Sequence, residues 1–231
     1  MKKIFLVVSA AMIALAVNAQ EKGKISLEAT IDPAALFDGG AGPLFQMPLI
    51  KGRYFLSEST ALSFGLKVNN DADVSHPDDN DENKASSTQI GFAPAFEKHF
   101  PMGKVSPYVG AGVSVTMRST KGTDVENDSI GGALFTTTTT YKNHAPGYGQ
   151  AYFSFGVNGI VGADYYISDN LYVGMEFAVG YYSTKFKKTE TTITSASGGT
   201  SISTTNTILE ASTVSGFTLS SFSGLRIGVR F

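Results

Sequence analysis

Ten charged side chains stand out because the runs that carry them are otherwise small or apolar: Glu28, Lys51, Arg53, Lys67, Glu97, Arg118, Asp164, Glu176, Arg226 and Arg230. Six are cations and four are anions. Both signs at close to equal number in an apolar setting suit a buried ion-pair network, and the same residues could line an ion path. The network is the favoured expectation, because an unpaired charge out of water is very costly. Catalytic chemistry is thinly supplied. The three histidines are His76, His99 and His144, of which the first and last lie in polar stretches, and there is no Cys. Metal chemistry has one candidate. Asp71, Asp73, Ser75, Asp79 and Glu82 fall at the first, third, fifth, ninth and twelfth positions of a calcium-loop spacing. His76 occupies the position that needs Gly and Pro77 follows it, so a solvated acidic loop is the favoured reading. No metal and no cofactor are expected.

The elements that must position these charges are strands. Leu225, Ile227, Val229 and Phe231 share one face of the last run, and Gly224, Arg226, Gly228 and Arg230 share the other. Period two with an apolar face is a strand. The same alternation marks seven earlier runs, at 23–31, 47–56, 61–68, 88–100, 107–118, 150–167 and 171–185, with the last at 214–231. Pro94 suggests a bulge in the fourth. In the last, Ser221 and Ser223 fall on the apolar face and Phe222 on the other, which a bulge near Ser220 would re-aim.

The connections alternate between long and short. Short turns lie at 57–59, 101–104 and 168–170, and long stretches at 32–46, 69–87, 119–149 and 186–212. Transmembrane barrels have this asymmetry, with short periplasmic turns and long outer loops. Around Gly198 and Gly199, Thr or Ser alternates with Ile. That stretch reads equally as a hairpin ribbon with an edge open to a partner strand or as an irregular loop.

The face that is continuous and large is Leu, Val, Phe, Met and Tyr, while the other is Gly, Ala, Ser and the charges above. A soluble barrel would need a polar exterior, and a surface of Gly and Ala is a poor one. An eight-stranded lumen holds only side chains, which Gly, Ala and a few long charged residues would fill. Tyr54, Phe55, Phe100, Tyr165, Tyr166 and Phe231 collect beside the short turns as an interfacial belt would. With charged residues at 16% and a formal charge of -2, no nucleic-acid partner is expected. Residues 1–19 read as a secretory signal, with Lys2 and Lys3, an apolar run and Val17-Asn18-Ala19. That leaves 20–231 as the barrel.

The PYVGAG strand start at 107–112, the Tyr/Phe-rich ends before Ser57-Glu58-Ser59 and Ser168-Asp169-Asn170, and the terminal Arg230-Phe231 resemble the small OmpA/OmpX-type outer-membrane barrels. The resemblance implies an all-β fold, an eight-stranded antiparallel up-and-down transmembrane β-barrel in the outer membrane. It implies lipid bilayer and lipopolysaccharide as surroundings, with a possible surface partner at the outer loops. It also implies an outer-membrane assembly machinery that reads the last strand, with Phe231 as its signal. Members of that family serve as structural barrels, adhesins, small channels and, rarely, lipid-acting enzymes. The enzymes place a Ser and a His near the outer rim, and no strand here offers a His at that height. The expected role is therefore non-enzymatic, structural or surface-interacting, with a narrow channel as the alternative. Mass spectrometry of the exported protein should find Gln20, or a residue within one or two of it, at the amino terminus, and an intact Met1 would contradict the signal assignment.

Overall fold

The computed structural model describes residues 23–31, 49–77, 81–130, 133–197, 200–219 and 224–231. The expected signal segment, the loop at 32–46 and the first residues of the second strand lie outside these, as do the Gly198-Gly199 turn and the stretch from Ser220 to Ser223. The described chain forms fourteen strands. In order they are β1 (Ile25–Ile31), β2 (Leu49–Ser57), β3 (Thr60–Ser75), β4 (Glu82–His99), β5 (Val105–Ile130), β6 (Ala133–Lys142), β7 (His144–Ala145) and β8 (Gly149–Gln150). There follow β9 (Tyr152–Tyr166), β10 (Leu171–Phe186), β11 (Thr189–Ser197), β12 (Thr200–Leu209), β13 (Ser212–Leu219) and β14 (Gly224–Arg230).

Eight of them close a ring. β1 pairs with β2, β2 with β3, β3 with β4, β4 with β5, β5 with β9, β9 with β10, β10 with β14, and β14 returns to β1. Every pairing is antiparallel, so the ring is an up-and-down barrel. The seam is shut by a reciprocal pair of backbone bonds, Phe231 N–H to Ile25 O at 2.8 Å and Ile25 N–H to Phe231 O at 3.3 Å.

Strand parity sets the two faces. On β5 the outward positions Val105, Val109, Val113 and Met117 are exposed, and the inward Tyr108, Ser114 and Thr116 are buried. β10 repeats this with Val173, Met175, Phe177, Val179 and Tyr181 exposed and Tyr172, Glu176 and Ala178 buried. From Val105 to Met117 the band runs twelve residues along β5. At ~3.3 Å per residue and a tilt near 40° that is about 30 Å, the thickness of a hydrocarbon layer.

Several sequence expectations change here. The stretches 69–87 and 119–149 are mostly strand, not loop. β3 and β4 stay paired up to Ser75↔Asn83, and β5 continues to Ile130 with β6 alongside it. β11 then pairs with β6 and β12 with β11, so β3, β4, β5, β6, β11 and β12 make a sheet that rises above the barrel. Neither face of this upper sheet is a continuous apolar surface, which hid it from a periodicity argument, although β-branched Thr favours strands. The Ser/Thr stretch does form a hairpin, but it joins β6 sideways and does not extend the seventh and eighth barrel strands. Pro94 creates no bulge: the β4–β5 register is the same before and after it, and the ladder only skips the two pairs at Ala93 and Pro94. Gly112 makes room there, since a Cβ on it would lie 2.6 Å from the Pro94 carbonyl.

The bulge expected near Ser220 lies outside the described residues; β10 pairs with β13 up to Val179↔Leu219 and with β14 up to Glu176↔Gly224. Of the expected aromatic belt, Tyr54, Phe100, Tyr165 and Phe231 are exposed, but Phe55 is buried and Tyr166 half-buried. Parity explains both: Phe55 follows Arg53 inward and packs at a tilt against His99 at 5.3 Å, and Tyr166 follows Asp164 and packs against Tyr172 at 5.2 Å. Deleting Phe231 removes both bonds of the reciprocal pair at the seam together with the outward ring. Heat-modifiable gel mobility should then show a reduced folded fraction in cells, and unchanged folding and yield would contradict that role.

Candidate functional site

Seven of the ten singled-out charges meet in the lower half of the lumen. Each is placed by one strand: Glu28 by β1, Lys51 and Arg53 by β2, Glu97 by β4, Asp164 by β9, Glu176 by β10 and Arg226 by β14. The contacts alternate in sign around the group. Lys51 Nζ lies 2.6 Å from Glu97 Oε1 and 2.6 Å from Glu176 Oε2. Arg53 reaches Glu97 Oε2 through Nε at 2.7 Å, and Glu28 Oε1 and Asp164 Oδ2 through Nη1, each at 2.7 Å. Arg226 bonds the other Glu28 oxygen, lies 3.2 Å from Asp164 Oδ1, and stands 3.4 Å from Glu176 Oε2. All seven are buried, with Arg53 and Arg226 1% exposed.

Two tyrosines complete the group, and sequence reasoning gave them no role. Tyr108 donates to Glu176 Oε2 at 2.7 Å and accepts from Arg226, and its ring lies 4.6 Å beneath the Arg53 guanidinium. Tyr172 donates to Glu28 Oε1 at 2.8 Å. Each ring needs floor space, and the facing residue supplies it. Tyr108 pairs with Gly162, Tyr172 with Gly228, and higher up Tyr182 with Gly156. A Cβ on any of these glycines would overlap the ring opposite. The signal was present in the sequence as inward Tyr and inward Gly, but the register that matches them was not.

The other three charges stand apart. Lys67 is half-buried higher on β3, and among the described residues no carboxylate pairs with it. Arg118 serves the outer mouth: its Nε and Nη2 donate to the Gln150 carbonyl at 3.1 and 2.6 Å, and it stacks 4.7 Å over Tyr152. That contact ties down the small β7–β8 hairpin (paired His144↔Gln150), which packs on β4, β5 and β6. The hairpin is latched a second time by Tyr148, which donates to Asp73 at 2.5 Å. That bond is the main reason the Tyr148 hydroxyl is pushed up to about 12. Arg230 closes the inner rim, donating to the Asp169 carbonyl at 2.8 Å and stacking 4.4 Å from Tyr166.

These arrangements hold charge and leave little space. Above the network a cavity of about 20 Å³ remains between Lys51, Ser63, Asn158 and Glu176, room for about one water. Below it a mouth of about 1290 Å³ opens between Lys24, Glu58, Lys104, Asp169 and Arg230. His99 is buried beside Ser106, which lines that mouth, 3.3 Å from Ser106 Oγ through Nδ1 and 3.3 Å from Glu97 Oε2 through Nε2. The order Ser, His, Glu resembles a hydrolytic triad. Its carboxylate, however, is already engaged by Lys51 and Arg53. The calcium-loop spacing also fails to assemble. Asp71, Asp73 and Ser75 are strand residues on β3 while Glu82 starts β4, and Asp79 lies outside the described residues. Among the described residues no cluster of His, Cys, Asp or Glu could hold a metal ion.

Removing Arg226 alone, as Arg226→Leu, leaves Glu28 and Asp164 short of a partner and should destabilise the folded barrel by about 3–5 kcal/mol. The double variant Glu28→Leu/Arg226→Leu should cost less than the two single losses added together. Urea unfolding in lipid measures both, and strictly additive losses would show that the two residues do not act as a pair.

Comparison with known families matches residues 4–212 to the outer membrane protein β-barrel domain. Comparison with curated proteins gives no match. The family match ends at the first residue of β13 and does not reach β14, so the closing of the ring is seen in the structure alone. A match over most of the length, a closed antiparallel ring of eight strands and an apolar outer band agree with one another. The chain belongs to the outer membrane protein β-barrel family, and its location is the outer membrane.

Proposed function

We propose that this protein is a non-enzymatic barrel whose lumen is closed and whose working part is the sheet it raises above the membrane. One observation carries the closed lumen. Seven buried charges and two tyrosines cross-link seven of the eight barrel strands directly, at 2.6 to 3.4 Å. A hydrated ion would have to break several of these contacts at once, and each break leaves a buried charge unpaired. The surface role is supported by the upper sheet, which ends in β12, a strand of Thr, Ser, Ile, Asn and Leu with no charge and no proline. Among the described residues no strand pairs with its outer edge, and such an edge suits addition of a partner strand. Assembly through recognition of the last strand at Phe231 belongs to the same reading.

Single-channel recording of the purified eight-stranded form in planar bilayers tests the closed lumen. The expected trace has no stable conductance step. A reproducible step from that form would overturn the plug and favour the narrow-channel alternative.

A further inference from the structure

On the outward face, lysines appear at a fixed distance above the apolar band. On β5, the continuous outward apolar band ends at Met117, Ser119 follows, and Lys121 stands four residues beyond Met117. On β10, Tyr181 is the last, Ser183 follows, and Lys185 stands four residues beyond Tyr181. Four residues along a tilted strand rise about 10 Å, which puts both ammonium groups within side-chain reach of the headgroup layer.

The arrangement around Lys121 is unusual in a second way. Its direct cross-strand partner is Lys142 of β6. Like charges placed opposite each other destabilise a sheet. Lys188 joins them, since its carbonyl accepts from the side chain of Asn143, next to Lys142. Glu190 offsets Lys142 and Lys188: it lies 3.0 Å from Lys142 and is held below the usual carboxylate range by that bond and by the Lys142 and Lys188 charges. The acidic residues of the upper sheet lie mostly on its other side. Asp71, Asp73, Asp124, Glu126 and Asp128 share the inward parity of β3 and β5, and Lys121 and Lys142 the outward one.

We infer that Lys121, Lys142 and Lys188, extended by Lys185, form a docking site for the phosphate of an outer-leaflet lipid headgroup. The site lies on the wall facing that leaflet, above a band that fixes its height, and a phosphate between Lys121 and Lys142 would offset their repulsion. Each lysine near such a surface strengthens binding to anionic headgroups, and salt weakens it. The inference goes beyond the closed-lumen reading and does not depend on it.

The test uses the folded full barrel in detergent, with a bisphosphorylated lipid A and its dephosphorylated counterpart as probes, and counts retained lipid by native mass spectrometry. The wild type should retain the phosphorylated probe on the order of ten-fold better. The triple variant Lys121→Gln/Lys142→Gln/Lys188→Gln should lose that preference while keeping its folded gel mobility, because all three side chains are exposed. A control triple at the opposite end, Lys24→Gln/Lys98→Gln/Lys104→Gln, should keep it. Equal retention of both probes by the wild type would overturn the site. So would equal losses in the two triples, or displacement of the lipid by millimolar inorganic phosphate alone.

Discussion

An eight-stranded ring has one interior width, and what fills it must be long enough to meet in the middle yet leave the wall room to close. Long charged residues and tyrosines meet the first demand. Glycine, alanine and serine on the facing strands meet the second. Lys51 faces Gly65, Glu97 faces Gly110, Glu176 faces Gly162 and Asp164 faces Gly174. The pairing rule resembles the rescue of a strand glycine by an aromatic neighbour, here extended to charged side chains. Each of the four buried carboxylates has a cation within 2.7 Å, so none of these acids stands alone in the plug.

The same parity that builds the plug separates the outer surface into two kinds. Above the band the outward positions turn from Val, Phe and Met to Ser and Thr and then to Lys, while the inward positions become acidic and carry Tyr141, Tyr148 and the β7–β8 hairpin. One uninterrupted strand, β5, passes through all three zones: plug, hydrocarbon layer and outer sheet. Its partners change on one side, from β9 below to β6 above, while β4 follows it almost throughout.

The ring was legible in the sequence because lipid and lumen impose opposite chemistry on alternate residues. The upper sheet was not, since water on both faces leaves no such alternation. Asp71, Asp73 and the run Thr136 to Thr140 read as loop for that reason. Inward charges could be named from parity, but not sorted: Lys67, Arg118 and Arg230 share the parity of Arg53 and lie too high or too low to join it. Height around a sheared barrel depends on register, which no single strand carries. Phe55 and Tyr166 are the instructive misreadings, because there the chemistry of an aromatic near a turn was allowed to outweigh a parity that was already visible.

β5 has a mechanical consequence. Its 26 residues run without a break from the inner rim to the tip of the outer sheet, held by ladders on both sides. A pull on the tip along the strand cannot open the ladders one rung at a time, as a zipper opens. It loads many hydrogen bonds in parallel, and within the lower part it loads the ion pairs beneath them. A cell tethered through this sheet would hang on a shear-loaded mast rooted in the barrel floor, while a sideways pull on the short edge hairpin β11–β12 would peel that hairpin away first and leave the mast standing.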